Sequence, residues 1–246
     1  MQATSDDFPH LLFYGPSGAG KKTLIMALLR ELYGPGVEKL KIEPRSFKIA
    51  SKSEPIEINI IASSYHIEMN PSDCGYYDRV VVQEVIKEIA QSQPLETSLT
   101  PQRRPYKIVI LSEVDKMSKA AQHALRRTME KYLATCRLIM TATSHARVTP
   151  AVLSRSLALR VARPSSSVLS ALLSDVCRRE NWAQGVALTP LIADKAERNI
   201  RRALLMLEVA KMKSGVQLVK TIELPDWEVF VQQLAKEIID EQSPQK

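Results

Sequence analysis

Aromatic residues are scarce: Phe, Tyr and Trp make up 5% of the 246 residues. A core built from this chain must therefore be mainly aliphatic. There are three cysteines, Cys74, Cys136 and Cys177, an odd and scattered set without metal-site spacing. Such a set implies reduced thiols and an intracellular protein. No apolar run approaches the ~20 residues that a membrane-spanning helix needs, so no membrane partner is expected. The opening MQATSDDFPH is not a signal peptide, and no arginine- and serine-rich transit segment is visible. His10, His66, His123 and His145 show no ligand spacing and read as structural or surface residues. Internal repeats and low-complexity segments are also lacking.

What is present is an ordinary globular balance, 45% hydrophobic and 25% charged. That suffices for a core and argues against disorder. The length fits one large domain or two modest ones. The net charge of +7, with a pI of 9.3, suits a polyanionic partner. Charge alone favours nucleic acid only modestly.

Short apolar strands alternate with helices over the first two thirds of the chain. HLLFYG reads as a buried strand and KKTLIMALLRELYG as a helix stopped by Gly34. SFKIA, PIEINIIAS and YHIEMN alternate in polarity and predict a β-hairpin or meander. DRVVVQEVIKEIAQSQ is an amphipathic helix and PLETSLTPQRRP a polar loop. YKIVILSEVD is a strand with an acidic end. SKAAQHALRRTMEKYL is a helix with Ser118 at its N-cap. CRLIMTAT is a strand, AVLSRS a short helix after Pro150, and LALRVARPS returns to the sheet. This order predicts an α/β fold, a parallel sheet with helices on both faces. From about Pro164 onward the pattern is helical, ending in LPDWEVFVQQLAKEIIDEQ, which is amphipathic through Val229, Val231, Leu234 and Ile238.

Gly15-Pro16-Ser17-Gly18-Ala19-Gly20-Lys21 fits the phosphate-loop spacing G-x-x-x-x-G-K, after a strand and before a helix. Glycines let backbone N–H groups converge on phosphate oxygens, the helix N-terminus adds partial positive charge, and Lys21 reaches the terminal phosphates. The next position ordinarily carries a hydroxyl for magnesium. Here it is Lys22, a cation that cannot ligate one. Thr23 lies about 100° further round the helix. The acidic box is altered too: in Ser112-Glu113-Val114-Asp115 a serine stands where a metal-holding aspartate belongs, while Glu113 keeps the water-activating position. Both changes together predict weak or absent hydrolysis. The competing reading is that Thr23 and Asp115 take over by a local shift.

FPHLLFYGPSGAGKKT, SEVDKMSKAAQHALRRTMEKY and VTPAVLSRSLALRVARPS resemble the small subunits of eukaryotic replication factor C, the sliding-clamp loader. The branch numbered three in animals and five in budding yeast is the most similar. The resemblance implies an AAA+ P-loop NTPase module: a nucleotide-binding α/β domain at 1–163, a helical lid at 164–222 and the first helix of a collar at 223–246. Relative to that family the segment before FPHLL is short, and so is the collar. The resemblance therefore implies an incomplete adenine site and leaves a fragment or shorter isoform open.

By the same resemblance Ser154-Arg155-Ser156 matches a Ser-Arg-Cys box whose arginine reaches the neighbour's γ-phosphate. Arg155 would then act in trans. Its plain reading is a solvated cation at a helix end. Thr143 takes the sensor position, where the family usually has Asn, and Arg201 matches the lid arginine, with Arg202 the adjacent alternative. Arg126 and Arg127 lie on the helix that in this family faces DNA. They would follow the phosphate backbone without reading sequence; a solvated basic face is the other reading. The implied cofactor is ATP or ADP, with magnesium doubtful and no protein metal site. The implied partners are the other subunits of a hetero-pentamer, the clamp PCNA and primer-template DNA, in the nucleus. The chain would be part of an ATPase complex with its own hydrolytic site impaired. Alternatives are a shared subunit of checkpoint- or cohesion-type loaders, or an autonomous P-loop ATPase.

Overall fold

The computed structural model describes residues 8–47, 56–91, 106–133, 135–214 and 226–240. The predicted loop PLETSLTPQRRP and the end of SFKIA lie outside them. The chain divides into two compact units, Met1–Arg163 and Pro164–Lys246.

The first unit is built on a seven-stranded sheet with strand order β2-β3-β4-β5-β6-β1-β7. Its strands are β1 (His10–Tyr14), β2 (Lys41–Phe47), β3 (Ile56–Ala62), β4 (His66–Met69), β5 (Lys107–Leu111), β6 (Cys136–Ala142) and β7 (Ser156–Arg160). From β4 to β7 every pairing is parallel. The central strands β1, β5 and β6 are accordingly near-continuous apolar runs, buried on both faces.

The hairpin or meander expected from SFKIA, PIEINIIAS and YHIEMN forms one side of the sheet. β2, β3 and β4 are antiparallel neighbours, so the sheet is mixed. Only Ser63–Tyr65 separate β3 from β4, whereas a parallel crossover needs a dozen or more residues. The Ser63 hydroxyl accepts the N–H groups of Tyr65 and His66, closing that turn. β2 also begins at Lys41 rather than Ser46 and contains Pro44. An edge strand tolerates a proline, which removes one ladder donor.

Helices cover both faces. α1 (Lys21–Tyr33) buries Ile25 and Leu29 against Leu11, Phe13, Ile108, Ile110 and Ile139. On the other face α2 (Asp78–Gln91) and α3 (Lys119–Lys131) pack on Leu12, Val109, Leu111, Leu138 and Met140. Each fully buried aliphatic side chain of this kind contributes roughly 1.5–3 kcal/mol relative to exposure. Ser118 is the N-cap of α3, its hydroxyl accepting the Ala121 N–H at 3.1 Å. Buried Asp78 locks α2 to that cap: it accepts the Ser118 N–H at 2.6 Å and the Ser118 hydroxyl at 2.9 Å. The short α4 (Pro150–Leu153) ends earlier than AVLSRS implies, because Ser156 already pairs with His10 in the sheet.

The second unit is helical. α5 (Ser166–Arg179), α6 (Thr189–Lys195) and α7 (Ile200–Ser214) enclose Leu169, Leu173, Cys177, Ile192, Ala203 and Leu207. α8 (Asp226–Asp240) is joined to α7 by Arg202 and Glu228, 2.7 Å apart. Its Trp227, Phe230, Leu234 and Ile238 are exposed. Among the described residues no helix is long and apolar enough to cross a membrane, and all three cysteines are free thiols.

Candidate phosphate-binding site

β1 runs directly into the glycine loop. The Gly15 N–H donates to the Ala142 carbonyl at 3.1 Å, and the Val161 N–H donates to Tyr14 at 2.8 Å. This squeezes Gly15 between the ends of β6 and β7. A Cβ there would stand 2.0 Å from the Val161 carbonyl oxygen, so no other residue fits. Gly18 and Gly20 take positive φ of 74° and 89°, which turns the loop back into α1. The first turn of α1 holds no acidic residue and no side-chain cap. The dipole at this helix start therefore suits an anion. Lys21 folds its ammonium across the loop, donating to the carbonyls of Gly15 (2.6 Å) and Pro16 (3.0 Å). Ser17 is exposed, and Ala19 is packed inside.

Lys22 points sideways, not into the loop. Its ammonium lies 2.7 Å from the Glu68 carboxylate on β4. Glu68 is almost wholly buried, and its second oxygen, Oε2, has no partner. His66, two residues earlier on the same strand face, is also buried, with Nδ1 against the Ser63 hydroxyl at 2.8 Å. Burial lowers the His66 pKa; the Glu68 carboxylate opposes that and Lys22 reinforces it.

The acidic box lies beyond β5. Glu113 adopts a left-handed backbone, φ 54°. Its N–H donates to the Thr141 hydroxyl at 3.1 Å, and its carboxylate pairs with Lys116 at 2.8 Å. That pairing raises the Lys116 pKa. Asp115 is buried and turned to the segment after β6. Its Oδ2 accepts the N–H groups of Thr143 (3.1 Å) and Ser144 (3.3 Å), and its Oδ1 is buried without a hydrogen-bond partner among the described residues. Thr23 is exposed on α1, and Thr143 is exposed just past β6. At the two positions where a P-loop ordinarily holds magnesium stand the Lys22 ammonium, paired with Glu68, and Ser112, neither an anionic ligand. Among the described residues no group of three His, Cys, Asp or Glu could hold a metal.

Arg155 lies in the turn between α4 and β7. Its Nε lies 2.7 Å from Glu130 Oε1, and its Nη1 donates to the Ala151 carbonyl at 2.9 Å. Arg126 and Arg127 are both exposed on α3. In the second unit Arg201 is exposed on α7, whereas Arg202 is engaged with Glu228. The first unit thus places the loop residues, Glu113 and Thr143 beyond the C-terminal ends of the parallel central strands β1, β5 and β6.

Gln122 escaped sequence reasoning. It is buried on α3 and donates to the carbonyls of Val114, Met117 and Arg147, while its oxygen accepts the Thr149 N–H at 2.8 Å. One side chain ties the acidic box, the segment after β6 and the base of α4 together. The signal was a polar residue where the helical period of SKAAQHAL demands an apolar one.

A phosphate loop after β1 of this sheet, an acidic box after β5 and a following helical unit define a P-loop nucleotide-binding protein of the AAA+ class. The RuvB Holliday junction branch migration motor of Thermotoga maritima has the same fold, with a TM-score of 0.57 at 13% identity, covering 97% of this chain and 65% of that one. Residues 2–165 match the family described as DNA polymerase III, delta subunit, and residues 171–212 the RCF1/5-like AAA+ ATPase lid domain. Replication factor C subunit 3 of Mus musculus is 53% identical over 98% of this chain and 67% of its own length. Replication factor C subunit 5 of Oryza sativa is 46% identical over 98% of this chain and 68% of its own length. The chain belongs to the replication factor C subunit 3/5 family.

Proposed function

We propose that this chain is a ring subunit of a replication factor C clamp loader, a hetero-pentamer that places the sliding clamp PCNA on primer-template DNA in the nucleus. It holds ATP or ADP in the loop Gly15–Thr23 with little or no hydrolysis of its own. Its chemical contribution is Arg155, offered in trans to nucleotide on the adjoining subunit. Arg126 and Arg127 follow the DNA backbone, and Arg201 serves the lid.

One observation carries this reading. The residue in the metal-ligand position, Lys22, is a cation held by Glu68, while the Ser154-Arg155 turn is intact. Phosphate can be cradled without the metal that would activate its transfer, and an arginine that neutralises transferring phosphate remains available. The test is Arg155→Ala in the reconstituted complex. DNA- and clamp-stimulated ATP hydrolysis should fall by an order of magnitude or more, in line with arginine fingers elsewhere. Wild-type hydrolysis and loading by that variant would overturn the reading.

A further inference from the structure

Arg155 is held on two sides by its own unit. The Nη1 edge is anchored locally, on the Ala151 carbonyl at 2.9 Å and the Ser154 hydroxyl at 3.0 Å. The other edge, Nε and Nη2, meets one oxygen of Glu130, at 2.7 and 2.5 Å. Glu130 stands in the last turn of α3, and Arg155 holds its carboxyl below the ordinary carboxylate range. Arg126 reaches the same oxygen at 3.7 Å.

A guanidinium clasps a phosphate through two parallel N–H groups, either Nε with Nη2 or Nη1 with Nη2. Both forks include Nη2. In this structure Glu130 takes the Nε–Nη2 fork, and the Ala151 carbonyl and Ser154 hydroxyl take Nη1, so neither fork is open while that carboxylate is in place. We infer that Glu130 is a competing anion that keeps Arg155 closed, and that a phosphate from the adjoining subunit acquires the arginine by displacing it.

The geometry suits a releasable contact. The Glu130 side chain is 51% exposed and that of Arg155 27%, so water and salt weaken the pair. When Glu130 rotates away, the bonds to Ala151 and Ser154 remain, and the guanidinium keeps its place on the turn. Glu130 therefore acts through Arg155 and touches no reacting atom. The inference rests on Arg155 serving the neighbouring site.

Steady-state ATP hydrolysis by the reconstituted complex, without DNA or clamp, tests it. Wild type, E130Q, E130A, R155A and the E130Q/R155A double variant are compared. E130Q keeps the size of the side chain and removes its charge. It should raise kcat/KM about twofold to fivefold, the range an exposed ion pair can supply. The gain should appear as a lower KM with kcat unchanged, because the competitor is absent from bound ground state and transition state alike. E130A should move the same way, and the double variant should match R155A. If R155A is impaired but neither Glu130 variant raises kcat/KM, the competition is wrong and the arginine's role stands. If R155A is unimpaired, both ideas fall together.

Discussion

The Lys22 ammonium and the Glu68 carboxylate lie 2.7 Å apart, joining the first turn of α1 to β4. The two partners are unequal: the lysine side chain is 59% exposed and the glutamate 9%. A carboxylate so enclosed needs a counter-charge. Lys22 is thus a structural partner of the sheet as well as a residue that takes the magnesium hydroxyl's place.

Lys22→Ala should lower the unfolding free energy of the first unit by about 1–2 kcal/mol. This is less than the roughly 3–5 kcal/mol for breaking a fully buried pair, because the lysine is half in water. In the Lys22→Ala/Glu68→Gln double variant the loss should be smaller than the sum of the two single losses. Urea denaturation of the four proteins closes the cycle. Additive losses would mean that the two side chains do not couple.

Nucleotide binding should ignore magnesium. Affinity for ATP or ADP, measured calorimetrically, should change by less than about threefold between excess magnesium and EDTA, under half the energy of a tenfold step. Lys21→Ala, which removes the ammonium over the loop, should abolish binding in both conditions. A strong dependence on the metal would show that other groups hold it.

Acidification should destabilise the first unit. His10 is buried; its Nδ1 accepts the Leu138 N–H at 3.0 Å, and its Nε2 faces the Met129 carbonyl at 3.4 Å. The ring is therefore neutral, and burial lowers its pKa below the ordinary 6.5. His66 is lowered for the same leading reason. Between the lowered folded value and 6.5 the unfolded chain binds more protons, so the contribution to stability is complete above 6.5 and is lost as pH falls below it. Urea midpoints from pH 7.5 to 5.5 check the sign. His10→Gln should flatten the slope.

Gln122→Ala should cost about 2–4 kcal/mol, since it orphans several buried backbone groups at once. Gln122→Glu should also destabilise, because a carboxylate cannot donate to the carbonyls of Val114, Met117 and Arg147. Thermal unfolding of both variants measures this. A neutral result for either would remove Gln122 from the account of how these loops are held.

Much of the architecture was legible in the chain because it is local. The phosphate loop needs one strand, a glycine spacing and one helix in succession, and all three are contiguous from His10 to Tyr33. The Ser118 cap and the aliphatic runs of β1, β5 and β6 are likewise written within a few residues. The antiparallel β2–β3–β4 edge was legible as a hairpin or meander from its alternation; what was less legible was where β2 starts, at Lys41 with Pro44 inside it.

The sequence alone determined the phosphate-loop spacing and that a lysine stands in the hydroxyl's position, because both follow from which side chain stands at which position of one short loop. Tertiary structure decided where those side chains are committed. Residue order does not bring Lys22 to Glu68, Arg155 to Glu130, Asp115 to the Thr143 N–H or Gln122 to Thr149; the folding of the sheet does. Charge and hydrogen-bond partners act over a few ångströms in space, and separations of 25 to 46 residues along the chain carry no record of that distance.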